Sequence, residues 1–150
     1  MKVDYFNIPE ITVSYKDCVK PSERAVVKSP EDAAKILSVA FGDCMEHHEE
    51  AYVLFLNRAH RVMGISCISK GGINGTVIDV RIILQTALKV SASFLMISHN
   101  HPSGSLFPSK EDMALTRSLQ NGCEAIGLQL YDHIIMSSEN YMSFADEGLL

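Results

Sequence analysis

The apolar run from Phe94 to Ile97 constrains this chain most, because its hydrophobic side chains stand on consecutive positions rather than alternate ones. A strand of that kind hides both faces, so the sheet it belongs to must be covered on either side. The run passes through Ser98 into His99-Asn100-His101, then a loop punctuated by Pro102, Gly104 and Pro108, then Ser109-Lys110-Glu111-Asp112. In an extended chain side chains two apart point the same way, so His99 and His101 converge while Asn100 faces elsewhere. Ser109 is a good N-cap for the helical pattern of Ala114, Leu115, Ser118 and Leu119, which puts Asp112 in the first turn of a helix. Two imidazoles and a carboxylate gathered at a strand end are the ligand types of a zinc site that leaves a fourth position for water.

Asp112 has a plainer reading as well. Ser109-x-x-Asp112 is a capping-box variant, with an acid where the helix dipole favours it. Ser29-Pro30-Glu31-Asp32 repeats the spacing ahead of another amphipathic run with no metal chemistry near it. The pair His99 and His101 tips the balance toward a ligand, because two imidazoles on one strand face at a loop-lined end imply a shared task.

The rest of the chain supplies a scaffold. Residues 1–28 form an arm with one predicted strand, Glu10 to Lys16, on which Ile11, Val13 and Tyr15 alternate; it can pair with a sheet edge or with another copy of the chain. Residues 29–150 form the domain. A first helix is capped by Ser29, carries Ala33, Ile36, Leu37, Ala40 and Phe41 along one face and stops at Gly42. Ala51 to Leu56 and Arg61 to Ile68 read as a hairpin, Gly71 to Gly75 as a bend, and the stretch from Asp79 as a second amphipathic helix. The third helix closes near Gly122, followed by strands over Leu128 to Met136 and Tyr141 to Phe144. This order implies an α/β domain, a mixed β-sheet flanked by helices.

With a net charge of −5 and no cluster of Lys or Arg, the chain lacks the footprint of a protein that grips a phosphate backbone, so direct DNA binding is disfavoured. Cys18, Cys44, Cys67 and Cys123 stand far apart, without zinc-ribbon spacing, and read as reduced thiols. The N-terminus has no signal-peptide core and no run could span a bilayer, so a cytoplasmic home without membrane association is expected. Nucleobase deamination needs His-x-Glu together with Pro-Cys-x-x-Cys, and with no Pro-Cys-x-x-Cys in the chain it is discarded.

The pattern His99-x-His101, seven residues, Ser109, two residues, Asp112 resembles the metal signature of the JAMM (MPN+) metalloproteases. The wording His-Asn-His-Pro-Ser-Gly is similar to the bacterial RadC-like branch, and the likeness extends through Glu49 to Asn57, Gly71 to Thr76, Asp132 to Ile135 and Tyr141 to Gly148. The resemblance implies a JAMM/MPN fold of cytidine-deaminase-like architecture, Zn2+ on His99, His101 and Asp112, and an amide-cleaving peptidase or isopeptidase acting on a peptide or protein. It also implies a general base at the start of an early strand, where Glu49 stands ahead of Val53-Leu54-Phe55-Leu56-Asn57, and an oxyanion-donating serine, matched by Ser109. Glu50 is the alternative base, since a shift of one residue reverses the strand face. His47 and His48 are expected to stay in a wet loop, and His133, beside Asp132, to have a structural role or to act behind the ligands. A non-catalytic MPN-type binding module and a DNA-repair-associated RadC-like protein are the competing functions. The helix-hairpin-helix region that RadC-like proteins often carry has no room in the 28 residues of the arm, which weakens the second.

Overall fold

The computed structural model describes residues 11–72 and 77–150. It contains helices α1 (Pro30–Phe41), α2 (Val80–Lys89) and α3 (Lys110–Ala125), and strands β1 (Glu50–Leu56), β2 (Val62–Lys70), β3 (Phe94–Asn100), β4 (Gln129–Met136) and β5 (Tyr141–Ser143). The strands form one sheet in the order β2-β1-β3-β4-β5, with β3 and β4 parallel and every other pair antiparallel. The expected mixed sheet flanked by helices is thus present.

Consecutive apolar residues divide between two cores. Leu54, Leu56 and Met96 meet Leu37 and Phe41 of α1 on one face, while Val53, Phe55, Leu95 and Ile97 meet Ile83, Ala87, Leu119 and Cys123 of α2 and α3 on the other. Burial of a leucine- or phenylalanine-sized side chain stabilises by about 1.5–3 kcal/mol, so both faces contribute to holding the helices on the sheet. Ala51 lies opposite His99 in the β1–β3 register, which sets the beginning of β1 beside the end of β3.

Two boundaries differ from expectation. Over residues 11–16 no strand forms, and Ile11 and Val13 are 88% and 69% exposed, because no sheet face is offered for their alternation to bury. The arm meets the sheet through the Tyr15 hydroxyl, which donates to the Met63 carbonyl, and further along through Val26, which bridges Arg61. Glu10 lies outside the described residues, as does most of the Gly71–Gly75 bend. Gly122, read as a stop, sits inside α3, which runs on to Ala125 before Gly127 takes a φ of +72°. A Cβ at Gly122 would stand 2.8 Å from Leu84 Cδ1, so the glycine serves the close approach of α2 and α3. Gly122→Leu is therefore expected to lower stability by roughly 1–3 kcal/mol, read as a lower urea midpoint. Among the described residues no helix is long and apolar enough to cross a membrane.

Candidate metal centre

The parity of β3 sends His99 to the face of α2 and α3, and the loop turns His101 back onto the same point, with its backbone N–H bonded to the Met136 carbonyl at 2.9 Å. Ser109 caps α3 in a full capping box, its Oγ accepting from the Asp112 N–H at 3.0 Å and its own N–H donating to Asp112 Oδ2 at 2.7 Å. This fixes the carboxylate over the strand end. His99 Nε2 and His101 Nε2 lie 2.9 Å apart, with Asp112 Oδ1 3.2 Å from the first and Oδ2 3.7 Å from the second. Ligands on a tetrahedral zinc, at about 2.0–2.1 Å from the ion, stand roughly 3.3–3.5 Å apart. The observed separations of 2.9, 3.2 and 3.7 Å straddle that spacing.

The hydrogen bonds behind the imidazoles test whether an ion fits. His101 Nδ1 lies 2.7 Å from the Ser105 carbonyl, an acceptor, so Nδ1 carries the proton and Nε2 a lone pair. Thr116 Oγ1 donates to the Asp112 carbonyl at 2.7 Å, and its contact with His133 Nδ1 at 2.6 Å must then be received from the ring. His133 Nε2 is left to accept from His99 Nδ1 at 2.8 Å, which gives His99 Nε2 a lone pair too. Burial, and then the neighbouring His99, push His133 down to about 3, in keeping with a neutral ring. Two nitrogen lone pairs and a carboxylate face one another, and such a set demands a cation or a shared proton between them. A zinc-type ion suits the donors. With the shared proton on His99, burial still works to raise the Asp112 carboxyl, but the His99 hydrogen bond and charge and the bonds at Ser109 outweigh it and hold it well below the usual carboxylate range.

The two candidate bases separate to opposite faces. Glu49 lines a cavity of about 170 Å³ together with Ile78, His99, Glu111, Asp112 and Leu115. Glu50 is buried behind the sheet, where Oε1 meets His48 Nε2 at 2.8 Å and Oε2 accepts from the Tyr52 hydroxyl at 2.7 Å. His48, expected to remain in the wet loop, is thus drawn in by Glu50. Ser109 Oγ accepts the capping bond and keeps its proton for donation. Asp132 and His133 diverge as alternation requires, Asp132 bonding the Ser143 hydroxyl and the Ala145 N–H while His133 reaches His99. Thr116 was not singled out from the sequence. The available signal was a hydroxyl one helical turn after Asp112 on the buried face of α3.

The family described as RadC-like JAB domain matches residues 27–149. The UPF0758 protein of Flavobacterium johnsoniae is 39% identical over 123 residues, which cover 82% of this chain and 53% of the relative. That of Porphyromonas gingivalis is 42% identical over 103 residues, 68% of this chain and 45% of the relative. That of Syntrophomonas wolfei is 34% identical over 129 residues, 85% of this chain and 55% of the relative. The chain spans about half the length of these curated relatives. With the matched stretch running from before α1 to past β5 and taking in the whole His-His-Asp cluster, the chain belongs to the RadC-like JAB (UPF0758) family of the JAMM (MPN+) superfamily.

Proposed function

We propose that this domain is a zinc-dependent hydrolase of amide bonds, acting on a peptide or protein. The observation that carries the reading is the shared cavity of Glu49, His99 and Asp112, which puts an acid on the open side of the ligand cluster. A zinc ion held by His99, His101 and Asp112 would act as a Lewis acid and lower the pKa of water toward about 7. Glu49 takes the proton as the water oxygen attacks the carbonyl carbon, and returns it to the leaving nitrogen. Ser109, still holding its hydroxyl proton, donates to the oxygen on which charge develops. His133 and Thr116 keep the His99 tautomer that presents Nε2 forward. The loop between His101 and Ser109 borders a groove of about 640 Å³ lined by Leu106, Phe107, Tyr141, Met142 and Leu149, suited to an apolar side chain of the substrate.

The test is cleavage of a peptide library by zinc-loaded protein, parent against Glu49→Gln. Loss of a general base lowers turnover by roughly 10²–10⁴-fold. The variant is expected to show that loss while elemental analysis finds its zinc content unchanged. Undiminished cleavage by Glu49→Gln would refute the base assignment, and a zinc-loaded parent that cleaves no member of the library would count against the hydrolase.

A further inference from the structure

Asn100, between the two site histidines, points through the sheet and builds a second cluster on the face of α1. Its Nδ2 donates to the carbonyls of Cys44, Met45 and His48 at 3.3, 3.1 and 2.8 Å, and its Oδ1 accepts from the Glu50 N–H at 2.7 Å. One buried amide thereby fastens the turn after α1 to the start of β1. The result is a convergence of Cys44 Sγ, a His48 ring nitrogen and a Glu50 carboxylate oxygen, all within 4.8 Å of one another. Cys44 and Glu50 are only 8% and 4% exposed.

We propose that Cys44, His48 and Glu50 form a second metal site, for a divalent transition ion of the zinc class, separate from the His99-His101-Asp112 cluster and on the opposite face of the sheet. Thiolate, imidazole and carboxylate together suit zinc or cobalt, and the sulfur argues against magnesium or calcium. Bonds of about 2.0–2.3 Å set ligand atoms roughly 3.3–3.8 Å apart, so atoms already within 4.8 Å of one another have little distance to close. Asn100 already holds the backbone of all three residues. The Tyr52 hydroxyl occupies Oε2 of Glu50 and orients the carboxylate with Oε1 toward His48, as hydrogen bonds behind a metal ligand do.

Lys70 is the counter-ion when no metal is bound, with Nζ 3.3 Å from Glu50 Oε1 on a side chain 67% exposed. An incoming ion replaces that charge and Lys70 swings into water. The Cys44 thiol gives up its proton to solvent as the metal–sulfur bond forms, so uptake strengthens as pH rises. An ion here also holds the backbone at Glu50, and so at Glu49 beside it.

Cobalt(II) is the probe, because a cysteine ligand gives it a near-ultraviolet sulfur-to-metal charge-transfer band that histidine and carboxylate ligands lack. Chelator-treated His101→Ala protein, in which the other cluster is disabled, is titrated with cobalt(II). One equivalent is expected to produce the band. Cys44→Ser should abolish it, Cys123→Ala should leave it intact, and His48→Ala should weaken cobalt binding at least tenfold. Absence of the band in the His101→Ala protein overturns the site, as does a band that survives Cys44→Ser or an affinity unmoved by His48→Ala. His48 lies in an outer turn, so its variant keeps the test decisive even if Cys44→Ser fails to fold. The Glu49 cleavage test reads the other face of the sheet, and either proposal can fail alone.

Discussion

Asp112→Ala is expected to abolish zinc binding at the histidine cluster and to destabilise the fold by an amount that depends on whether zinc is present. The carboxylate has two tasks carried by different atoms: Oδ1 stands 3.2 Å from His99 Nε2, while Oδ2 closes the capping box by accepting from the Ser109 N–H at 2.7 Å. Losing the box costs about 1 kcal/mol whether or not metal is bound. In chelator the variant also gives up the pairing with His99 that holds the carboxyl low, and in free zinc at a thousandfold excess over its dissociation constant it forfeits about 4 kcal/mol more of binding-linked stability. Urea unfolding should therefore show Asp112→Ala below the parent by more than the cap's share in chelator, and by about 4 kcal/mol more than that in zinc. Ser109→Ala, which removes only the cap acceptor, should lose about 1 kcal/mol in both. Elemental analysis of Asp112→Ala and of His101→Ala should each find one equivalent of zinc fewer than in the parent. If Asp112→Ala lost the same stability in zinc as in chelator, the residue would be a helix cap and no ligand.

The two readings of Asp112 open in the sequence turn out to be compatible, because a carboxylate has two oxygens and the cap uses one. That outcome shows what local pattern reveals. His99 takes its direction from strand alternation and His101, one residue past β3, keeps it, Asp112 is set by a cap, and Glu49 and Glu50 part by parity, all consequences of spacing along one segment. The hairpin, the three helices and the two-faced β3 were legible for the same reason. Contacts between distant segments were not. The chain from His99 through His133 to Thr116 needs β4 laid parallel to β3 and α3 packed over both. Gly122 reads as a helix stop until Leu84 of α2 is brought against it. Ile11, Val13 and Tyr15 alternate like a strand, yet pairing falls instead at Val26, where a partner edge exists. His48 turns inward to Glu50 with its backbone carbonyl held by Asn100, fifty-two residues away in sequence.

The His133 chain leads to an acid sensitivity with a defined sign. His133 is fully buried, stacked on Phe144 at 4.5 Å, and is pushed down to about 3 by burial and then by its histidine neighbour His99. In the unfolded chain the same imidazole titrates near about 6.5. Between those values the unfolded state binds a proton that the folded state refuses, so stability is present above about pH 6.5 and drains away as pH falls toward 3. The loss by pH 4 is of order 3 kcal/mol. Asp112, held low, adds to it once pH drops through the carboxylate range. Asp132 opposes it: burial raises its carboxyl against the bonds from Ser143, Ala145 and His133, so the folded state favours its proton there and gives up stability as pH rises again. Urea midpoints of chelator-treated protein between pH 7 and 4 should fall steeply for the parent. His133→Phe starts from a lower midpoint, because His99 Nδ1 and Thr116 lose a partner, but its slope between pH 6.5 and 4 should be much shallower. Coincident slopes would place the acid response elsewhere. Protonating His133 also removes the acceptor that His99 Nδ1–H needs, so the proton that unfolds the domain is the one that turns the His99 lone pair away from the metal position.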